Sequence, residues 1–429
     1  MEILYNIVSK EEFFFYYEHY LYKEVDNLLK RALSILIFVI LLSGCHSQPT
    51  VGSKQKEPNR KIHQTKQADK KALEQEENSV KSHFEGMIEA AEENNKTKFL
   101  SFQNETNQLF YKEQKVWLED FNQKKKEGWK VSVVINDITL DSLDKGKLEL
   151  QINMQLKNQD ITNHITYPIN KINGTWKMND LPFKKKTEGP LNLYYLPSLE
   201  SDADIAFTDV EDLVELYSKT FRWKPTEVNV KLYDSLEEIS ASVAWPTLFG
   251  VTSPFTSLKF LVDGSYSEVT YSLMTHEVVH TMLADLSNDN APTFMQEGLA
   301  VFVSSAVTKD DSGKPQLDFN NKVAEREKII LKKTKNIKPI SDLKNVNYTD
   351  NSIDIYNVGF LITDYLIQTY GLEKYLDMVE VLKKNDIVED DNPQKEQIVF
   401  NRAFKALEQT YGPLDNLSKG YIDYFNKKK

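Results

Sequence analysis

Leu273-Met-Thr-His276-Glu277-Val-Val-His280-Thr-Met-Leu283 is the stretch on which the reading of this chain turns. On a helix, residues four apart share one face. His276 and His280 then point the same way and can bind one zinc ion through ring nitrogens. Glu277, next to the first histidine, can reach a water at that metal and act as general base. Ser265 and Glu268 form an S-x-x-E pattern that predicts a helix start just ahead, and Val269 and Leu273 follow at helical spacing. The plainer alternative is a core helix with two satisfied histidines. Against it, the chain has only 7 histidines, and His19, His46 and His63 fall outside its folded part.

A catalytic zinc needs three protein ligands and one open position. Downstream, Ala291–Ser304 reads APTFMQEGLAVFVS. Pro292, and Thr293 with Gln296 as a second capping pattern, predict another helix with Glu297 in its first turns. The turn-rich Asp285–Asn290 can reverse the chain, so that two antiparallel helices bring Glu297 to the histidines. Taken alone, Glu297 reads better as an acid favoured by the helix dipole near a helix start.

HEVVH followed by PTFMQEGLA resembles the gluzincin peptidases, in the group with a P-x-W/F-x-x-E-G-x-A second motif. The likeness spans about residues 192–371. It implies a thermolysin-like zincin domain that hydrolyses peptide bonds with Zn2+, Glu297 as third ligand and Glu277 as base. It implies an oxyanion donor from Tyr356-Asn-Val-Gly359-Phe360, either Tyr356 or, as second choice, Tyr365; an aromatic stripe in a buried helix explains both tyrosines as well. It also places Phe260-Leu-Val262 as an edge strand beside the cleft, open to a peptide by strand addition. The chain departs from the family at Val301, where many members carry an acid. The partner orienting a histidine must therefore lie elsewhere, with Asp285 and Ser304 as candidates.

Around these motifs, LNLYYLP, VNVKLYDS and SLKFLVDG read as strands, residues 203–221 as a helix, and the C-terminal part as helices that include residues 353–370 and 396–411. Residues 187–429 thus form an α+β domain with a small mixed sheet and a helical C-terminal half. Residues 82–186 read as a smaller α+β accessory domain. Two helices (83–94 and 97–126) precede strands KVSVVINDITL, KLELQINMQL, HITYPINKI and NGTWKMNDL, the last opened by an Asn-Gly turn. That order is similar to the cone-shaped fold of the nuclear-transport-factor-like superfamily. His83 and His164 lie there without ligand spacing and read as ordinary histidines.

Residues 1–45 read as a leader. Lys30 and Arg31 precede the apolar run ALSILIFVILL (residues 32–42), which ends in Leu42-Ser-Gly-Cys45. This resembles a bacterial lipobox, which implies lipidation of Cys45, palmitate included, and anchoring to the outer face of the cell membrane. A plain signal peptide or a short anchor, with an incidental cysteine, is the alternative. The stretch before Lys30 is long for such a leader, so either a start nearer residues 25–29 or a true N-terminal extension is expected. Residues 46–81, polar and charged, read as a disordered tether. The 429 residues, 40% hydrophobic, suffice for two domains; a net charge of −11 argues against nucleic acid, and 1 cysteine allows no internal disulfide. The expected partners are a peptide or protein substrate and the membrane. The rival functions are a non-catalytic, surface-anchored zinc-binding or peptide-binding lipoprotein, which would show a broken ligand set, and a solute-binding lipoprotein, which would need two similar lobes.

Overall fold

A computed structural model describes residues 60–157, 159–244, 250–252, 255–334, 336–345, 355–389 and 392–429. The leader, Cys45 and residues 46–59 lie outside the described residues. The fold is mixed α+β, and residues 77–429 make one compact unit. No described helix is long and apolar enough to cross a membrane.

Helix α1 spans Arg60–Glu92, so the tether expected over 46–81 is helical from Arg60 onward. Low apolar content argued for disorder, but residues 60–81 hold no Gly or Pro and are rich in Lys, Glu, Gln and Ala. Such a sequence extends a helix whose other end is already anchored, because propagation is far easier than nucleation. The anchor is the stretch from Val80 to Ala91, where Val80, Phe84, Met87, Ala90 and Ala91 are buried. The single helix expected over 97–126 is two: α2 (Lys96–Leu100) and α3 (Gln108–Lys126). Asn107 breaks the run by capping α3, its side chain accepting from the Phe110 amide.

Strands β1 (Lys130–Leu140), β2 (Lys145–Leu156), β3 (Gln159–Ile172) and β4 (Thr175–Met178) form an antiparallel meander in that order. The β3–β4 turn is Asn173 and Gly174, at φ 50 and φ 79, the two left-handed residues that a tight hairpin needs.

The second sheet is mixed, as the pattern suggested. It is built from β5 (Lys184–Glu188), β6 (Leu191–Tyr195), β7 (Val228–Tyr233), β8 (Gly250–Thr252) and β9 (Ser257–Leu261), in the order β5-β6-β7-β9-β8. Helix α4 (Glu200–Phe221) makes the crossover from β6 to β7, and α5 (Leu236–Ile239) follows β7. All six residues of β7 are buried, so both sheet faces are covered. One face carries Val228, Val230, Leu232, Leu258 and Phe260 in the hydrophobic core with α4. The other carries Lys231 and Lys259, paired in register, and both are buried. Glu113 of α3 answers them: it accepts from Lys231 and Ser257 and stands 3.4 Å from Lys259. Asp180 adds a second partner for Lys231 at 2.6 Å. Burial opposes the charge on Glu113, but the two lysines outweigh it and hold its carboxyl below the usual range.

One strand position differs from expectation. Residues 260–262 do not form the edge; β9 lies between β7 and β8, and Gly250–Thr252 is the edge strand. Helix α6 (Glu268–Ser287) begins at Ser267, whose side chain accepts from the Thr270 amide, rather than at Ser265. Helix α7 (Thr293–Ala306), hairpin β10 (Val307–Lys309) and β11 (Pro315–Leu317), and α8 (Asn321–Lys333) follow. Helices α9 (Ile355–Tyr370), α10 (Leu372–Lys383), α11 (Lys395–Tyr411) and α12 (Leu414–Asn426) complete the chain.

Candidate metal centre

Helix α6 puts His276 and His280 on one face, their ring centroids 4.9 Å apart and their Nε2 atoms 3.1 Å apart. Behind them Met274, Val278, Val279, Met282 and Leu283 are buried and fix the helix rotation. The helix ends at Ser287, and Asn288 and Asp289, both at φ 54, turn the chain back. This is the reversal that the turn-rich segment predicted, and α7 then packs on α6.

Glu297 of α7 thereby meets the pair: its Oε2 lies 3.2 Å from His276 Nε2 and 3.7 Å from His280 Nε2. Bonds of about 2.0–2.1 Å at tetrahedral angles would separate ligand atoms by about 3.3 Å. The triangle of 3.1, 3.2 and 3.7 Å has that size, so the donor set fits a tetrahedral ion. Atoms of His276, Glu277 and His280 also fall within 4.8 Å of one another. Glu297 Oε2 matches the spacing of a third ligand to both histidines, whereas a carboxylate oxygen of Glu277 accepts from Thr252 Oγ1 at 2.8 Å. Glu277 stands beside the triangle, with one carboxylate oxygen within 4.8 Å of a ring nitrogen of each histidine.

The position of Glu297 depends on two glycines. A Cβ on Gly298 would stand 2.3 Å from the Gly359 carbonyl oxygen, and one on Gly359 would stand 2.4 Å from that of Phe294. Helices α7 and α9 therefore meet backbone to backbone at the residue after Glu297. Tyr356 sits one turn before Gly359 on α9, half-buried against the core. Tyr365 is elsewhere: its ring packs edge-on against Tyr370, Tyr421 and Tyr424, so for this tyrosine the buried-stripe reading holds.

His280 Nδ1 lies 3.3 Å from Gln296 Oε1. An amide oxygen only accepts, so the tautomer that makes this hydrogen bond is the one protonated on Nδ1, which leaves the Nε2 lone pair for a metal. Gln296 was expected in a capping pair with Thr293, but no side chain caps α7. Asp285 instead accepts from Trp223 Nε1 at 2.8 Å, and Ser304 Oγ donates to the Val301 carbonyl. Neither orients a histidine through these bonds, and Val301 is buried in the core. Among the described residues, Gln296 and Thr252 touch the site without having been marked as site residues by the sequence pattern. Adjacency to Glu297 was the signal for Gln296; nothing local marked Thr252.

No protein-family model matches the chain, and no curated protein matches it. Among solved structures it is similar to the crystal structure of Legionella pneumophila aminopeptidase A in complex with aspartic acid, at 14% identity and a TM-score of 0.32. That likeness covers 70% of this chain and 32% of the other, so this chain spans about a third of its neighbour's length. At that level the likeness carries no argument about fold or activity.

Proposed function

We propose that this protein is a zinc-dependent peptide hydrolase. The observation that carries the reading is the triangle of His276 Nε2, His280 Nε2 and Glu297 Oε2, with Glu277 next to it. Two neutral imidazoles and a carboxylate suit zinc, and three protein ligands leave a tetrahedral ion one open position. Bound there, zinc would lower the pKa of a water to about 7 and polarise a carbonyl. Glu277 takes the proton of the attacking water on a carboxylate oxygen. It then delivers that proton to the amine nitrogen released when the C–N bond breaks. Gln296 keeps His280 in the metal-binding tautomer. Tyr356 donates a hydrogen bond to the carbonyl oxygen as negative charge develops on it.

The experiment is metal analysis of the full chain. Wild type should bind one zinc ion, whereas His280→Ala and Glu297→Gln should each lose most of it, because two ligands make a poor site. Equal zinc content in wild type and either variant would remove the assignment.

A further inference from the structure

We infer that Thr252, on the edge strand β8, is the positioning residue for the base Glu277, on a strand whose neighbour β9 is gripped by helix α3. The inference rests on the hydrolase reading. Register decides which way the Thr252 side chain faces. Thr252 pairs with Leu258, and Gly250 with Phe260. Cross-strand partners share a sheet face, and Leu258 and Phe260 lie in the core with residues of α6. Thr252 therefore faces α6, where its hydroxyl donates to Glu277 Oε2 at 2.8 Å and approaches the Glu277 carbonyl at 3.5 Å. Gly250 faces the same way: a Cβ there would stand 3.6 Å from Glu277 Cγ. One carboxylate oxygen is thus fixed by the strand, leaving the other to take a proton.

The opposite face of β9 carries Ser257 and Lys259, and both meet Glu113 of α3. Val251 pairs with Lys259, so the rung beside Thr252 is the one that Glu113 grips. Helix α3 also anchors the chain that leads toward β8. Gln114 Nε2 donates to the Ala241 carbonyl at 2.9 Å and Trp117 Nε1 to the Ser240 carbonyl at 3.0 Å. Tyr167 of β3 donates to the same Ala241 carbonyl at 3.2 Å. A β-branched residue on a strand needs no functional reason. Here, however, the hydroxyl of a half-buried edge residue turns inward to a carboxylate.

The test compares Thr252→Val, which keeps the shape and removes the donor, with Thr252→Ser, which keeps the donor. Steady-state hydrolysis of a peptide is measured at matched zinc content. Thr252→Val should lower kcat about ten- to a hundredfold with KM and zinc content unchanged, the scale on which misplacing a catalytic group acts. Thr252→Ser should stay within about threefold of wild type. In a Glu277→Gln background, adding Thr252→Val should change the residual rate less than about twofold, because the effect runs through Glu277. A Val variant as fast as wild type would overturn the inference and leave the hydrolase reading standing. So would a loss confined to KM, or a Ser variant as slow as Val. If wild type shows no zinc-dependent turnover, both readings fall.

Discussion

His280 turns its two ring nitrogens to different tasks, one toward Gln296 and one toward His276 and Glu297. Division of this kind lets a neutral imidazole serve as a ligand without competition for its lone pair. Away from the site, a second acidic residue behaves differently. Asp364 is buried on α9, and burial together with the neighbouring Glu327 carboxylate pushes it up to about 8. In the unfolded chain the same group titrates near 3.9. Between those two values the folded protein binds the extra proton, so stability falls as pH rises from about 4 to about 8. Asp364→Asn removes that dependence and should raise the melting temperature at pH 8 much more than at pH 5. Equal shifts at both pH values would show that Asp364 is not held protonated. The HExxH residues were legible in the sequence because their chemistry is local to one helix. Gln296 and Thr252 were not, because each acts across a tertiary contact that spacing does not encode.

At the level of elements, the site depends on how α7 sits between α6 and α9. The close approach of Gly298 and Gly359 leaves no room for a side chain. Gly298→Ala must push the helices apart and carry Glu297 with them. Overpacking of this kind costs about 1–3 kcal/mol or more. The variant should melt at lower temperature and bind zinc more weakly than wild type. Retention of wild-type zinc affinity would show that Glu297 does not depend on this contact. Strand order shows why the elements themselves were only partly legible. Alternation found the strands SLKFL and VNVKLY, and the helices of the C-terminal half appear close to their expected limits. The short edge strand Gly250–Thr252 is too brief for alternation to mark it, and the family resemblance placed the edge at residues 260–262 instead. The early start of α1 was hidden because composition measures what a segment can bury, not what it can extend.

At the scale of the molecule, the four-stranded meander with its helices and the five-stranded sheet share a buried charge cluster. Residues 82–186 and 187–429 read as separate domains in the sequence, and nothing in VNVKLY or SLKFL says that the lysines face Glu113 rather than water. Removing residues before 187 would strip Lys231 of both carboxylates and Lys259 of Glu113. Breaking a buried pair costs about 3–5 kcal/mol, a large part of a typical stability of about 5–15 kcal/mol. A chain of residues 187–429 alone should therefore lack a cooperative thermal transition, while residues 60–429 should show one. A sharp melt of the shorter chain would establish it as an independent domain.

The central claim, that these residues hydrolyse peptide bonds, is tested most directly by peptide turnover at matched zinc content for wild type, Glu277→Gln and Tyr356→Phe. Glu277 is not a ligand in this account, so its amide variant should keep both zinc and fold. An amide cannot take the proton, and a contribution of about a hundredfold or more should vanish. Tyr356→Phe should keep zinc and lose a smaller part of the rate through one missing donor. The account predicts zinc-dependent turnover in wild type, a near-zero rate in Glu277→Gln and an intermediate rate in Tyr356→Phe. Undiminished turnover in zinc-loaded Glu277→Gln, or none in zinc-loaded wild type, would contradict it.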